Sequence, residues 1–431
     1  MKTARIVIIG AGSRGSIYAA YALVHPESVK IVAVAEPREA WRIRLLQAHG
    51  IPESAAVADW RELLDRPKFA DAVVVATRDA MHVEPAVAAA RKGYAILLEK
   101  PMAPHADGCR QIAVAAREAG TLLAVCHVLR YTYHTQMIKQ LIAAGTIGEV
   151  VNVQSLEPVG YWHQAHSFVR GNWRREAESS PMLLAKCCHD LDWIRYIMGR
   201  KCLSIQSFGT LKHFRPDQKP EGAVARCLNC PLEGSCPYSA KKIYLSRVAQ
   251  GYCGWPVDVL TPEPNEATVL EALRSGPYGR CVYDCDNDVV DNQVVNMLFE
   301  GGATASLTMT AFTEGGHRQT RIFGTRGELV SDGSSIRHFD FLSDTRREIA
   351  TTSGAHLTHG GGDDAIMEAF INAVRHNDSG LVLSGAEESL ETHMMVFAAE
   401  KSRRENRVVK MEEMESTTKP WSRRLIWWGR K

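Results

Sequence analysis

Short, nearly continuous apolar runs alternate with helical patterns over the first third of the chain. Residues 5–9 and 31–35 read as strands, with an amphipathic helix between them. Residues 72–76 and 95–98 are apolar at almost every position, the pattern of strands buried on both faces of a parallel sheet. Residues 83–92 and 107–119 have helical spacing, and 122–126 supplies another strand. This β-α-β series predicts a doubly wound α/β domain over residues 1–128.

Beyond Arg130 the texture changes. A helix over 136–144 and a turn at Gly145-Thr146-Ile147-Gly148 precede an alternating strand at 149–156. Further strands are expected at 204–211, 291–299, 303–311 and 319–323, and helices return at 363–376 and 387–406. Strands in series without helices between them predict a large, mostly antiparallel sheet in a second α/β domain, residues 129–415. Residues 212–290 form an insertion rich in Pro, Gly and Cys. Residues 416–431 are a basic, aromatic tail, read as a docked or frayed terminus, with a subunit or membrane-surface contact as the alternative. No internal repeat is visible.

Composition narrows the function classes. The chain has 431 residues, with 45% hydrophobic and 23% charged, ordinary for a globular protein of two or three domains. Lys+Arg 51 against Asp+Glu 49 gives a net charge of +2. No bulk field therefore draws nucleic acid or a bilayer. No apolar run approaches the roughly 20 residues of a membrane helix. The apolar start runs into a glycine loop, which suits a strand better than a signal peptide. A cytoplasmic location is expected, so the 11 cysteines read as thiols or metal ligands rather than a disulfide framework.

Gly10-Ala11-Gly12-Ser13-Arg14-Gly15 follows a predicted strand and opens a predicted helix. The first glycine serves a tight turn, the second a close backbone approach to a pyrophosphate, the third helix–strand packing. Phosphates would lie at the helix N-terminus, where free N–H groups favour anions. Glu36 ends the second strand about 20 residues on, where a carboxylate takes ribose hydroxyls. It would repel a ribose phosphate, which favours NAD over NADP. Arg14 and Arg38 pull the other way, since either could reach a phosphate.

Glu99-Lys100-Pro101 closes the strand at 95–98. With the glycine fingerprint, Thr77, His82, Arg130, the 145–148 turn and His189-Asp190-Leu191-Asp192, the chain resembles the Gfo/Idh/MocA oxidoreductase family. The resemblance covers nearly everything except the cysteine-rich insertion and the tail. It implies a Rossmann domain followed by an open-faced α/β domain, a nicotinamide cofactor, and a sugar or cyclitol substrate. It also implies association through the open sheet, as a dimer or tetramer. Its members include sugar and inositol dehydrogenases and glycosidases that use a bound NAD. Thr77, His82, Glu99 and Lys100 join the glycine loop, Glu36 and Arg38 as the cofactor-side set on this resemblance.

Oxidising a secondary alcohol needs an electron acceptor and a base for the hydroxyl proton. Lys100 lies at the carboxyl end of a parallel strand, where ligands bind in such sheets, and could stabilise alkoxide character. The resemblance assigns it that role, with Glu99 orienting it. His189 and Asp192 share a helix face, and a histidine beside a carboxylate suits proton transfer. Where the family often has an aspartate four residues before the histidine, this chain has Ala185, with Lys186 beside it. Lys186 and Asp190 are therefore alternative partners for His189.

Tyr161, Trp162, His163, His166, Arg170, Asn172, Trp173, Arg174 and Arg175 crowd one segment. Aromatic rings stack on sugar faces, Asn and His read hydroxyls, and arginine forks match anionic groups. Together with Arg130 they suggest an anionic sugar, such as a glycuronide or sulfosugar glycoside. The alternative is a loop that packs a domain interface. Cys227, Cys230 and Cys236 have C-x2-C-x5-C spacing, three of the four ligands of a tetrahedral structural zinc, with Cys188 or Cys187 as the fourth. The alternative is reduced thiols in a loop.

Two enzymatic readings stand level. One is an NAD-dependent sugar dehydrogenase. The other is a redox-assisted glycosidase on an anionic glycoside: oxidation at C3, elimination of the aglycone, water addition and re-reduction. That chemistry needs a second base and an acid, which His163, His166, Lys186 and Tyr161 could supply. A nucleotide-sensing regulator on the same fold is a third reading, opposed by the intact Glu99-Lys100-Pro101 and His189.

Overall fold

The computed structural model describes residues 2–351 and 358–415. The tail singled out from the sequence lies outside the described residues. The first domain runs β1 (Ala4–Ile9), α1 (Ser13–Val24), β2 (Val29–Ala35), α2 (Glu39–His49), β3 (Ala56–Val57), α3 (Arg61–Leu64) and β4 (Ala72–Val75). It continues with α4 (Val83–Arg91), β5 (Ala95–Leu98), α5 (Ala106–Glu118) and β6 (Leu123–Val125). The sheet order is β3-β2-β1-β4-β5-β6, with every pairing parallel. This is the Rossmann order, whose crevice opens between β1 and β4 where the winding reverses. All four residues of β4 are buried, as the unbroken apolar run required.

The second domain runs α6 (Tyr133–Ala143), β7 (Val150–Pro158), α7 (Tyr161–His163), α8 (Met182–Met198), β8 (Cys202–Thr210), α9 (Ser246–Ala249), α10 (Glu266–Ser275) and β9 (Asn292–Phe299). Then come β10 (Thr304–Thr310), β11 (Gln319–Gly324), β12 (Gly327–Ser331), β13 (Ser335–Asp340) and β14 (Thr345–Ala350). The chain closes with α11 (Gly362–His376), α12 (Ala386–Glu405) and β15 (Val409–Lys410). The nine-stranded sheet has the order β14-β13-β12-β11-β7-β10-β9-β8-β15. Its pairings are antiparallel except β10 with β7. β9 alternates buried and open positions, so one sheet face packs on α8 and α12 and the other stays open.

Three apolar cores result. One lies in the Rossmann domain and one beneath the large sheet. The third belongs to the insertion, around Phe214, Tyr238, Tyr244, Val257 and Leu273. The insertion is thus a packed unit, and α10 inside it is capped by Asn265. The sequence pattern did not predict β12 to β14. β14 is Thr-Arg-Arg-Glu-Ile-Ala with almost every position exposed, so it carries no apolar alternation to read.

The last helices return to the first domain. Gly385, just before α12, bridges Ala124 of β6, and His393 of α12 accepts from the Met102 N–H at 2.9 Å. Arg14 of α1 grips Asp363 of α11 and also Glu99 after β5, with Nε 2.6 Å from Oε1. Both carboxylates are buried. Arg14→Ala strands them without their cation, and a loss of about 3–5 kcal/mol is expected. Urea unfolding at neutral pH would measure it. A loss under about 1 kcal/mol would show that the pair does not hold the domains, because exposed ion pairs reach only that.

Candidate active site

The glycine loop joins β1 to α1 at the sheet's switch point. Gly10 has φ +94°, and a Cβ there would lie 2.5 Å from the Ala76 carbonyl oxygen. A Cβ on Gly15 would lie 1.9 Å from the Gly10 oxygen. Only glycine fits either place. Gly12 caps α1 without a side-chain hydrogen bond, and Ser13 is exposed beside it, so the first N–H groups of α1 face the crevice. Thr77, at the end of β4, holds a buried Oγ1 with no hydrogen-bond partner. An open helix terminus and an orphaned hydroxyl beside it are what a bound dinucleotide would satisfy.

Glu36 accepts from the Ala11 N–H at 2.9 Å and from Arg38, Nε at 2.8 Å. Burial pushes its carboxyl up, but Arg38 and the Ala11 N–H hold it below the usual carboxylate range. Arg38 is therefore partnered to Glu36 and stacked on Trp41, 4.6 Å from the ring centroid. Arg14 differs from expectation. Its guanidinium is used on Glu99, Asp363 and Tyr18, so it is a brace behind the loop rather than a phosphate ligand. His82 also differs. Its ring bonds the Pro101 and Thr77 carbonyls at 2.8 and 3.1 Å, tying two loops of the crevice wall together.

Lys100 crosses from the first domain to the second. Its Nζ donates to the Ala185 carbonyl of α8 at 2.8 Å, one helical turn before His189. Glu99 does not touch that ammonium. It accepts from the Lys100 backbone N–H at 2.7 Å and so fixes the strand end that carries it. Burial pushes the Glu99 carboxyl up, while Arg14 and Lys100 pull it below its usual range.

Behind His189 lies His127, fully buried, with ring centroids 6.0 Å apart. His127 Nε2 is 3.6 Å from Asp192 Oδ1. Both oxygens of Asp192 accept from Arg130 at 2.7 Å, and Thr392 adds a third bond. Burial raises the Asp192 carboxyl, and His127 together with the Arg130 fork holds it below its usual range. Arg130 is thus consumed by Asp192 and the Leu383 carbonyl and does not read substrate.

Lys186 sits 3.0 Å from Glu157 at the end of β7. Glu157 also meets Arg318 at 3.0 Å, and Arg318 grips Asp190 at 2.5 Å. Asp190 is therefore engaged by Arg318. Glu157 and Arg318 were not singled out from the sequence. Nothing local marks them, because each is defined by a partner on another element.

The aromatic segment divides. Tyr161, Trp162 and His163 are half-buried on α7, with Tyr161 and Trp162 packing against the insertion's core. Asn172 and Trp173 are exposed beyond it. His166 is buried, bonded to the Tyr244 hydroxyl at 2.9 Å and stacked on Tyr278 at 4.9 Å. Arg170 is buried on the carbonyls of Arg280 and Tyr238, both at 2.8 Å. Arg174 is bidentate to Asp286 at 3.1 Å. These three belong to the insertion's packing, not to a substrate. His163 is the exception. Burial, then Lys186, His166 and Lys100, push its pKa well below the usual value, so it is neutral and within their field.

The zinc expectation fails on geometry. Cys188 lies in the core of the large-sheet domain, whereas Cys227 lies in the insertion core. Cys227, Cys230 and Cys236 line one cavity with Cys281, but among the described residues no three Cys, His, Asp or Glu side chains converge on a metal position. Cys227 instead faces the Arg170 guanidinium at 3.4 Å and the Arg280 carbonyl. Cys187 is buried in the same core as Cys188.

A crevice at a Rossmann switch point, facing a lysine and a histidine across two domains, defines a nucleotide-dependent oxidoreductase architecture. Residues 4–127 match the oxidoreductase family's NAD-binding Rossmann fold, and 139–411 match its C-terminal α/β domain. The chain belongs to the Gfo/Idh/MocA family of NAD-dependent oxidoreductases. It is 25% identical over 363 residues to the oxidoreductase YteT of Bacillus subtilis (strain 168), covering 78% of this chain and 81% of that one. It is 26% identical over 211 residues to the 2,7-anhydro-N-acetylneuraminate hydratase of Escherichia coli (strain K12), covering 48% of this chain and 54% of the relative. The fold is shared with an NAD-binding oxidoreductase from Klebsiella pneumoniae at TM-score 0.71 and 18% identity, covering 95% and 99% of the two chains. Among the described residues no helix is long and apolar enough to cross a membrane.

Three buried histidines make stability depend on pH. Burial pushes His127 and His166 down to about 3 and His393 down to about 4. The unfolded chain protonates them near 6.5. Stability is therefore complete above that value and falls as pH drops toward 4, by up to about 1.4 kcal/mol per pH unit for each histidine. Melting temperatures should hold from pH 7.5 to about 6.5 and fall from there to pH 5, with a shallower slope in His127→Gln. A flat profile would contradict it.

Proposed function

We propose that this chain oxidises a ring hydroxyl of a glycoside, at C3, and uses that oxidation to cleave the glycosidic bond, with water added and the hydroxyl restored. The observation that carries it is the reach of Lys100 to Ala185, which sets one ammonium beside His189, Lys186 and His163. NAD on the glycine loop supplies the two-electron acceptor for the C–H bond. Lys100 donates to the substrate hydroxyl oxygen, and His189 takes its proton. Next to a C3 ketone the adjacent C–H is acidic, since its carbanion is an enolate. Neutral His163 accepts that proton. Lys186, ion-paired with Glu157, donates to the leaving oxygen.

The sequence also suggested an anionic substituent, but Arg130, Arg170, Arg174 and Lys186 are each paired, so the proposal does not require one. The hydratase relatives favour the addition step. A plain dehydrogenase is the second reading, favoured by a 26% identical relative named levoglucosan dehydrogenase, matched over 38% of this chain and 44% of its own length.

Neutral and anionic nitrophenyl glycosides, incubated with and without NAD, separate the two. NAD-dependent nitrophenolate release without net NADH supports cleavage. Stoichiometric NADH with no release leaves the dehydrogenase. Lys100→Met and His189→Asn should each lower kcat/KM by about 10²–10⁴-fold. NAD binding, followed calorimetrically, should survive in both. Full activity in either variant would remove that residue from the chemistry.

A further inference from the structure

The insertion places one large aromatic side chain at the cleft that the proposed chemistry does not use. Trp255 lies between α9 and α10 and is 38% exposed. Its ring is 4.9 Å from His163, 5.3 Å from Trp162 and 5.4 Å from His166. The interplanar angles are 78°, 56° and 90°, so none of these rings lies flat on the indole. Trp162 is less available, because the Arg247 guanidinium covers it at 4.5 Å. His163 ties this cluster to the reacting groups, since it lies in the field of Lys186 and Lys100. Three residues beyond Trp255, burial raises the Asp258 carboxyl, and Arg44 of α2 pulls it back. This stretch of the insertion therefore lies within the field of α2 of the nucleotide-binding domain.

We propose that Trp255 is the platform of a second subsite, on which the sugar ring attached to the oxidised one stacks. An indole offers a broad, rigid apolar face at low entropic cost, and a pyranose presents a matching face of C–H bonds. The substrate is then a glycoside of at least two rings. Its reacting ring lies under Lys100 and His189, and its neighbour lies on Trp255. This rests on the carbohydrate reading given above.

The test uses the full-length enzyme with saturating NAD. Substrates are disaccharides and the methyl glycosides of the same non-reducing sugar. The wild type should prefer the disaccharide. Trp255→Ala should reduce the ratio of the two kcat/KM values about tenfold, through KM, and Trp255→Phe should restore part of it. A ratio unchanged in Trp255→Ala would assign the residue to packing alone and overturn the proposal. So would a wild type that turns over methyl glycosides and no disaccharide. If the wild type turns over neither kind, the carbohydrate reading itself fails, a result distinguishable from the other two.

Discussion

Burying a carboxylate is costly unless its oxygens are paired, and Glu99 meets that requirement in a way that organises the nucleotide side. Oε1 takes Arg14 Nε and the Tyr18 hydroxyl, both at 2.6 Å, and Oε2 takes the Lys100 N–H at 2.7 Å. Arg14 stands immediately behind the glycine loop and also holds Asp363 in α11. One guanidinium therefore couples the phosphate-side loop, the strand end that carries Lys100, and the last third of the chain. With the backbone at Lys100 fixed, its ammonium has a defined reach, and α8 provides the carbonyl that ends it.

What was legible in the sequence was what covalent geometry and local period dictate. β4 and β5 announced themselves because every position of β4 and all but Ala95 of β5 are buried. Gly10 and Gly15 did so because no side chain fits between the loop and its neighbours. Lys100 was readable from its place at a strand end. The partner of each charge was not readable. Arg130 meets Asp192 from 62 positions away, Arg174 meets Asp286 from 112, and Arg14 meets Asp363 from 349. Such pairs leave no periodic trace. A cluster of arginines looks like an anion reader until the fold shows that its forks are already filled. The same holds for the cysteines, whose spacing suited zinc while their side chains do not converge.

The insertion explains why the aromatic segment split. His166 and Arg170 pack into its core and secure the turn that follows β7. His163, in the field of Lys186 and Lys100, is the member of the segment left toward the cleft. The insertion and the substrate-side turn are in this sense one structural piece, so the shape of the cleft mouth depends on a segment outside the resemblance first noted in the sequence.

The replacement at position 185 has an electrostatic consequence. Ala185 leaves Lys100 a backbone carbonyl instead of a carboxylate, and Lys186 brings a second cation. That cation is matched by Glu157, Glu157 needs Arg318 as well, and Arg318 is matched by Asp190. Two cations and two anions close on one another with no net charge. Lys100 stands outside that closed set, donating to the Ala185 carbonyl, with His127 and His163 held neutral in its field. An ammonium whose hydrogen bond goes to a neutral carbonyl keeps more of its field for a developing alkoxide than one already paired with a carboxylate.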